Sequence, residues 1–381
     1  MRIVGLRAVP LSAAPGDPPL EWVGGRIETW DAALVEITTA DGVTGVGEAA
    51  QGIMAAAALP GLVAALRPYA EGLEFGHPRE VGDALRDRTA FWARGGIAAG
   101  AVAAVEVAAF DAMGKALGVP AYELLGGLRR DRVEVYASGG LGVDEDQVVA
   151  WARAMEADGF GTVKFRAMTG PDRTIGLVDK VLAALRPETR FVLDAVQGCA
   201  GRPWPHQDVL RVGRHLERYG PRWYEEPCRA EDVAGYTSVR SALDVPVSGV
   251  ESYSTRQEFE RLVEADGADV LQPDVGMVGG PVEFQRIARL AREAGLACVP
   301  HIWSSGVNLM ASLHAVFATE GVELAELCTL PNPLREALCV EPPRRDGSFL
   351  LPPSGPGLGV ALTPEIEQKF PFRPGGGHVI R

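Results

Sequence analysis

Eight short apolar stretches, beginning about 23 to 31 residues apart, constrain this chain more than any other feature. They are Val133 to Ser138, Thr162 to Arg166, Phe191 to Asp194, Arg222 to Glu225, Val245 to Glu251, Asp269 to Asp274, Leu296 to His301 and Glu323 to Glu326. Amphipathic segments such as Gln147 to Ala157 and Pro281 to Ala294 lie between them, so strand and helix alternate. The spacing matches a (β/α) barrel of roughly 250 residues, at about 25 to 30 residues per unit. A doubly wound open sheet shares that spacing. The residues that end the strands favour the barrel, whose site collects one group from each strand end.

Those ends are Lys164 and Arg166, Asp194, Glu225, Glu251, Asp274, His301 and Glu326, so seven of the eight strands close on an ionisable side chain. A single strand-end carboxylate is ordinarily a cap or an ion-pair partner. Their joint occurrence is hard to attribute to capping. At the centre is Trp223-Tyr224-Glu225-Glu226-Pro227, a buried strand end, two carboxylates and a proline that stops the ladder. Asp194, Glu225 and Glu251 end three successive strands, and on parallel neighbours they form a site for a hard cation. Oxygen-only ligands point to magnesium or manganese rather than zinc.

Lys164 and Arg166 stand at i and i+2 on one strand and point to the same face. Three carboxylates and a divalent ion leave a net negative charge, which this pair reverses, giving an anionic substrate a place to bind. Asp274 and His301 end neighbouring strands. There an Asp accepts from one ring nitrogen and leaves the other as a base of raised basicity. Alone, His301 is equally a structural group; beside a metal site it reads as catalytic.

Residues 1 to about 48 read as antiparallel. A strand Ile3 to Val9 precedes a Pro/Gly-rich loop from Pro10 to Gly25, then Ala33 to Thr38 and a hairpin turn at Asp41-Gly42. The loop carries Trp22, either on a solvated surface or on a mobile lid. Helical patterns follow from Ala55 to Glu71, Pro78 to Phe91 and Ile97 to Leu117, the last stopped by Gly118-Val119-Pro120. Its alanine-rich middle implies tight packing, and Glu106 and Asp111 within it read as solvated or hydrogen-bonded structural groups.

At 381 residues and 47% hydrophobic content the chain can bury a large core over two domains, or three at most. Fifty acidic against 37 basic residues, with no Lys/Arg run among aromatics, argue against nucleic acid. The five cysteines lack Cys-x-x-Cys spacing, which fits a reducing cytoplasm. The first residues carry no apolar run of signal or membrane length, so neither export nor a membrane is expected.

The helix Phe110-Asp111-Ala112-Met113-Gly114-Lys115-Ala116-Leu117-Gly118-Val119-Pro120 leading to Leu124-Leu125-Gly126-Gly127, the three carboxylates, the Asp/His pair and Ser354-Gly355-Pro356-Gly357-Leu358-Gly359 together resemble the enolase superfamily, specifically its mandelate racemase and muconate lactonizing branch. The resemblance covers essentially the whole chain. It implies an α/β fold: a modified TIM (β/α) barrel over 131–330 under an α+β capping domain built from residues 1–130 and a returning segment 331–381. It also implies a homo-oligomer, and a magnesium-dependent reaction in which a proton α to a carboxylate is abstracted and the enediolate is held on the metal. By position Asp194, Glu225 and Glu251 correspond to the ligands, and Glu226 to a second, non-ligating acid. Lys164 matches the first lysine of a Lys-x-Lys strand, His301 the base of the opposite face, Asp274 its partner, and Glu326 the acid that hydrogen-bonds the substrate carboxylate. Trp22 and Trp303 are candidate substrate contacts, with selectivity expected in the loops around Trp22 and Gln51 to Met54.

Two positions depart from the family pattern. Arg166 replaces the second lysine; arginine is a poor base, better suited to binding a carboxylate, and its charge is expected to depress the pKa of Lys164. Val196 stands where the family usually has Asn or His. With Arg166 in place of a base, a reaction led by His301 is favoured over racemisation or epimerisation: α-proton removal, then departure of a β-leaving group. Loss of hydroxyl makes an acid-sugar dehydratase, and loss of a ring oxygen a lactone cycloisomerase. Val299 to Val307 and Asn332 to Arg335 are similar to galactarolactone cycloisomerases, a likeness the dehydratases share; dehydration is narrowly preferred. The expected partner is a small carboxylate, an acid sugar or its lactone. A reading from another class is a noncatalytic metal-bound sugar-acid binding protein, with Arg166 and Val196 marking a decayed site.

Overall fold

The computed structural model describes residues 1–16 and 20–380. Its first layer is an antiparallel sheet of β1 (Ile3–Ala13), β4 (Trp30–Thr39) and β5 (Thr44–Ala49), in the order β1-β4-β5. The expected turn at Asp41-Gly42 joins the last two, with Gly42 at φ 79°. Helices α1 (Gly52–Ala55), α2 (Leu59–Ala70), α3 (Pro78–Arg88) and α4 (Gly96–Leu117) follow. Helix α4 lies against β5 at backbone distance: a Cβ on Gly45 or Gly47 would meet the carbonyl oxygens of Ala108 or Ala104 at 2.0 and 1.9 Å. The alanine-rich run therefore has its tight packing, and α4 ends on Gly118 in the left-handed conformation. Gly52–Ala70 and Gly96–Leu117 are long and apolar enough to cross a membrane, but the apolar window of the second is 89% buried in this core.

The stretch read as a loop from Pro10 to Gly25 is corrected by the structure. Strand β1 runs on to Ala13, and β2 (Leu20–Trp22) and β3 (Gly25–Ile27) form a small hairpin. Positions 17–19 of that stretch lie outside the described residues. The other edge of β3 is paired by β16 (His378–Ile380), from the opposite end of the chain. Strands of three residues carry no period, and a partner so distant in sequence gives no local signal.

After the short α5 (Ala121–Leu124) the strands β6 (Val133–Ser138), β7 (Thr162–Arg166), β8 (Arg190–Asp194), β9 (Tyr224–Glu225), β10 (Val247–Gly249), β11 (Val270–Leu271), β12 (Ala297–Cys298) and β13 (Leu324–Cys328) run parallel. They pair in sequence order from β6 to β12, and β13 pairs back onto β6. A doubly wound sheet would reverse its order at a switch point; this one returns on itself as a barrel. Its interior holds Tyr136, Val192, Trp223, Val270 and Val299. The intervening helices are α6 (Glu145–Ala157), α7 (Pro171–Ala184), α8 (His206–Leu216), α9 (Val233–Ala242), α10 (Arg256–Glu264), α11 (Pro281–Glu293) and α12 (Gly306–Ala318).

The β11 and β12 ladders stop short of the expected strand ends, because Pro273 and Pro300 supply no N–H there. Asp274 and His301 therefore sit in loops just beyond β11 and β12 rather than on the strands. Beyond α13 (Pro333–Leu338) the chain adds the hairpin β14 (Arg345–Asp346) and β15 (Phe349–Leu350) beside β6, then returns through α14 (Pro364–Lys369) to the first layer.

Candidate active site

The strand-end residues form two layers. In the lower one, Lys164 is fully buried, with Nζ 2.5 Å from Glu225 Oε1 and 2.8 Å from Glu326 Oε1. Glu225 Oε2 accepts from Trp223 Nε1 at 2.8 Å and Gln272 Nε2 at 2.9 Å. Burial works against the Lys164 charge, but the two carboxylates outweigh it and hold the ammonium well above its ordinary pKa. The expected depression by Arg166 is thus corrected: Arg166 pulls in that direction and is outmatched by nearer acids. Glu326 resists burial through Lys164, His301 and Arg166 and falls to about 2. It is an anion that accepts from Ile302 N at 2.7 Å, acting as counter-ion to Lys164.

The upper layer lines a cavity of about 450 Å³ shared by Arg166, Asp194, Glu226, Glu251, His301, Trp22 and Trp303. Arg166 Nε lies 3.3 Å from Asp194 Oδ2, its guanidinium stacks 4.6 Å over the Trp303 ring, and NH1 donates to Ser138 Oγ and the Gly139 carbonyl. His301 Nδ1 is 2.7 Å from Asp274 Oδ2, while Asp274 Oδ1 accepts from Gly276 N and Asn308 Nδ2. With the Asp274 carboxylate fixed on three sides, the proton on His301 belongs on Nδ1 and Nε2 is turned toward Glu251 Oε2, 3.4 Å away. Burial lowers the His301 pKa, yet Glu251 and Asp274 raise it to about 10.

Of the expected site residues, the structure brings Asp194, Glu251, His301, Arg166, Trp22 and Trp303 to one cavity and leaves Lys164, Glu225 and Glu326 beneath it. Asp194, Glu225 and Glu251 do not converge: among the described residues no three His, Cys, Asp or Glu side chains have ligand spacing. Glu225 is drawn down by three donors, and Glu251 leans to His301. Glu226, read from sequence as the bystander, faces the cavity.

A divalent cation nevertheless fits the chemistry of these groups. Burial first, then Glu225, raises Asp194 to about 7 despite Arg166, and burial with Glu251 and Asp194 lifts Glu226 well above the carboxylate range. Buried carboxylates that repel one another in this way are the donor set of a hard cation. The backbone carries strain at the same place: Val196, Glu226 and Val250 adopt φ of 57°, 44° and 63°, each beside one of the acids. Left-handed valines are sterically costly and cluster at functional sites.

Sequence reasoning missed several supports of this geometry. Trp223 and Gln272 point into the barrel at the period of two, a signal that was available. Glu48 on β5 accepts from Ser305 N, Ser305 Oγ and Asn308 N, tying the first layer to the start of α12, and nothing local marks it. His378 on β16 also lines the cavity.

Comparison with known proteins agrees with this architecture. A family described as "Enolase C-terminal domain-like" matches residues 147–366, and one described as "Mandelate racemase / muconate lactonizing enzyme, N-terminal domain" matches 11–126. The chain is 30% identical over 373 residues to the D-galactarolactone cycloisomerase of Agrobacterium fabrum (strain C58 / ATCC 33970), covering 93% of this chain and 95% of that one. It is 32% identical over 346 residues to the D-galactonate dehydratase of Ralstonia nicotianae (strain ATCC BAA-1114 / GMI1000), covering 86% and 88%. Among solved structures, the 3,6-anhydro-D-galactonate cycloisomerase from Zobellia galactanivorans superposes with a TM-score of 0.86 at 27% identity, over 97% of this chain and 99% of that one. With family models matching both of its halves, the chain belongs to the mandelate racemase/muconate lactonizing enzyme family of the enolase superfamily.

Proposed function

We propose that this protein removes the proton α to the carboxylate of a small acid sugar and expels the oxygen on the β-carbon, most simply as an acid-sugar dehydratase. The observation that carries this is an asymmetry of bases. His301, backed by Asp274 at 2.7 Å, lines the cavity, whereas Lys164 is sealed below between two carboxylates and Arg166 holds its proton. One base on one face suits elimination better than inversion at a carbon.

Asp194 and Glu251, which line the cavity, are the groups that would hold magnesium or manganese, with Glu226 beside them and Glu225 beneath, its oxygens here engaged by Lys164, Trp223 and Gln272. When bound, the cation supplies positive charge against the negative charge that develops on the substrate carboxylate. Arg166 orients that carboxylate, and its plane is fixed by Trp303 and the Gly139 carbonyl. Asp274 holds Nδ1–H of His301, so that Nε2 receives the α-proton. The Glu251 carboxylate is the strongest group holding a proton on His301, and that hold would relax were Glu251 committed to a bound cation. Trp22 and Trp303 exclude water from the reacting carbon.

Lactone cycloisomerisation is the second reading, and it has an observation of its own. The cavity wall away from the acids is mainly Trp22, Ile27, Ile53 and Met54, which suits the flat face of a ring. The Agrobacterium fabrum relative carries that activity in its name.

The test is proton NMR in deuterated buffer with magnesium and a panel of aldonic acids, aldaric acids and their lactones. A 2-keto-3-deoxy product is expected, and an acid or isomeric lactone formed from a lactone would select cycloisomerisation. Exchange of the α-proton without elimination would overturn the elimination reading and return Lys164 as a second base. Binding of several acids with neither exchange nor product would support a noncatalytic binding protein.

A further inference from the structure

Three elements close around the Asp274 carboxylate, and one residue among them, Asn308, has no part in the reaction described above. Asp274 Oδ2 meets His301 Nδ1, so the orientation of the base depends on what fixes Oδ1. Oδ1 accepts from Gly276 N at 2.8 Å, within its own loop, and from Asn308 Nδ2 at 3.1 Å, in the first turn of α12. Asn308 is 1% exposed, and among the described residues its amide oxygen has no hydrogen-bond partner. An acceptor orphaned in the interior costs stability, a cost that an apolar side chain would not carry. The amide keeps this orientation because its donor end faces an anion. Gly276 makes room for it, since a Cβ there would stand 2.7 Å from Asn308 Oδ1 and 2.9 Å from Ala50 Cβ.

Asn308 is itself gripped from the capping layer. Glu48, buried near the end of β5, accepts from Asn308 N at 2.9 Å and from Ser305 Oγ at 2.6 Å. The start of α12 does not need this bond as its cap, because the Ser305 side chain already accepts from Val307 N. Two residues beyond Glu48, Ala50 N donates to the Gly276 carbonyl at 3.1 Å, and the Ala50 carbonyl accepts from Ser304 Oγ. The end of β5 thus holds both residues that fix Oδ1, Asn308 through Glu48 and Gly276 through Ala50. We infer that Asn308 is a positioning residue for the base, anchored on the capping layer by Glu48. It sets the plane of the Asp274 carboxylate, so that His301 keeps Nδ1 on Oδ2 and Nε2 toward the cavity. Asn308 does not itself line that cavity, so it acts through Asp274. The inference deepens the proposed function and rests on it for His301 as the base.

The experiment uses the full-length, magnesium-loaded protein and has two readouts. The first is the proton NMR signal of His301 Nδ1–H, identified by its loss in His301→Asn and needing no substrate. Asn308→Leu, which is near in shape and removes the donor, should move or broaden that signal as the carboxylate gains freedom. Glu48→Gln should do the same to a smaller extent, and takes its place if Asn308→Leu does not fold. The second readout is turnover of the acid sugar on which the wild type is most active. Asn308→Leu should lower kcat about 10- to 100-fold, the range for outer partners that orient a histidine, with KM and magnesium affinity within about twofold. In an Asp274→Ala background the same substitution should change kcat by less than about twofold, because the residue through which it acts is gone. An unchanged signal, an equal loss of kcat in both backgrounds, or a loss confined to KM would overturn the inference. A signal that responds as expected in a protein that turns over no acid sugar would sink the proposed reaction and leave the positioning of the imidazole standing.

Discussion

Lys164 and His301 stand on opposite flanks of one barrel mouth, each held in its protonated form by carboxylates, and only His301 opens to the cavity. Lys164 has two acids within 2.8 Å, and all three side chains are fully buried. His301 has one such partner in Asp274, while its second acid, Glu251, is 3.4 Å away and 31% exposed. Two close acids satisfy an ammonium completely and retire it; one close acid orients an imidazole whose far nitrogen keeps only the longer contact to Glu251 at the cavity. Reactivity here depends less on residue type than on how many carboxylates the surrounding strands direct at it.

Breaking the reactive flank should have the largest effect. His301→Asn is expected to lower turnover by about 10³- to 10⁴-fold, the usual range for losing a general base, with magnesium affinity near normal by calorimetry. Turnover within tenfold of wild type would mean that the two flanks had been assigned the wrong way round. On the retired flank the loss should appear in stability. Lys164→Met leaves Glu225 and Glu326 buried without their cation, and urea unfolding should show a loss of about 3–5 kcal/mol. A variant as stable as wild type would indicate that Lys164 is not the structural cation described here.

A third imidazole sharpens the contrast. His314 is buried as deeply as His301 but has no carboxylate beside it; burial alone pushes it down to about 4, and its Nδ1 accepts from Tyr122 N. Because its folded pKa lies below that of the unfolded chain, its contribution to stability is full above about pH 6.5 and is lost as pH falls toward 4. The loss amounts to about 3 kcal/mol at most. A pH series of urea unfolding midpoints should show that acid slope, and His314→Gln should flatten it. An unchanged slope in the variant would assign acid sensitivity to the carboxylates instead.

Much of the barrel was legible because each strand-helix unit repeats locally, and the ladders found start within a few residues of those expected. The site was legible as a set of residues and less so as an arrangement. Whether Glu225 or Glu226 faces the cavity depends on the left-handed turn at Glu226 and on donors from Trp223 and Gln272, which arrive from two different strands. The state of Lys164 likewise needed Glu326, far along the chain, to be brought within 2.8 Å. The pairing of β16 with β3 lay beyond any sequence window. Glu106 and Asp111 were readable as hydrogen-bonded structural groups, although they are buried rather than solvated.

Those two acids and Glu48 have a mechanical consequence. Glu106 on α4 accepts from Val282 N at the start of α11 and pairs with Arg86, which also donates to the Gly279 carbonyl. Asp111 accepts from Val46 N and Leu358 N, and Glu48 holds the first turn of α12. The layer is thus riveted to the barrel at two separate buried points, and through Asp111 to the returning segment at Leu358. The β2–β3–β16 sheet lines the same cavity with Trp22, Ile27 and His378, so segments about 350 residues apart close one site over a frame pinned elsewhere.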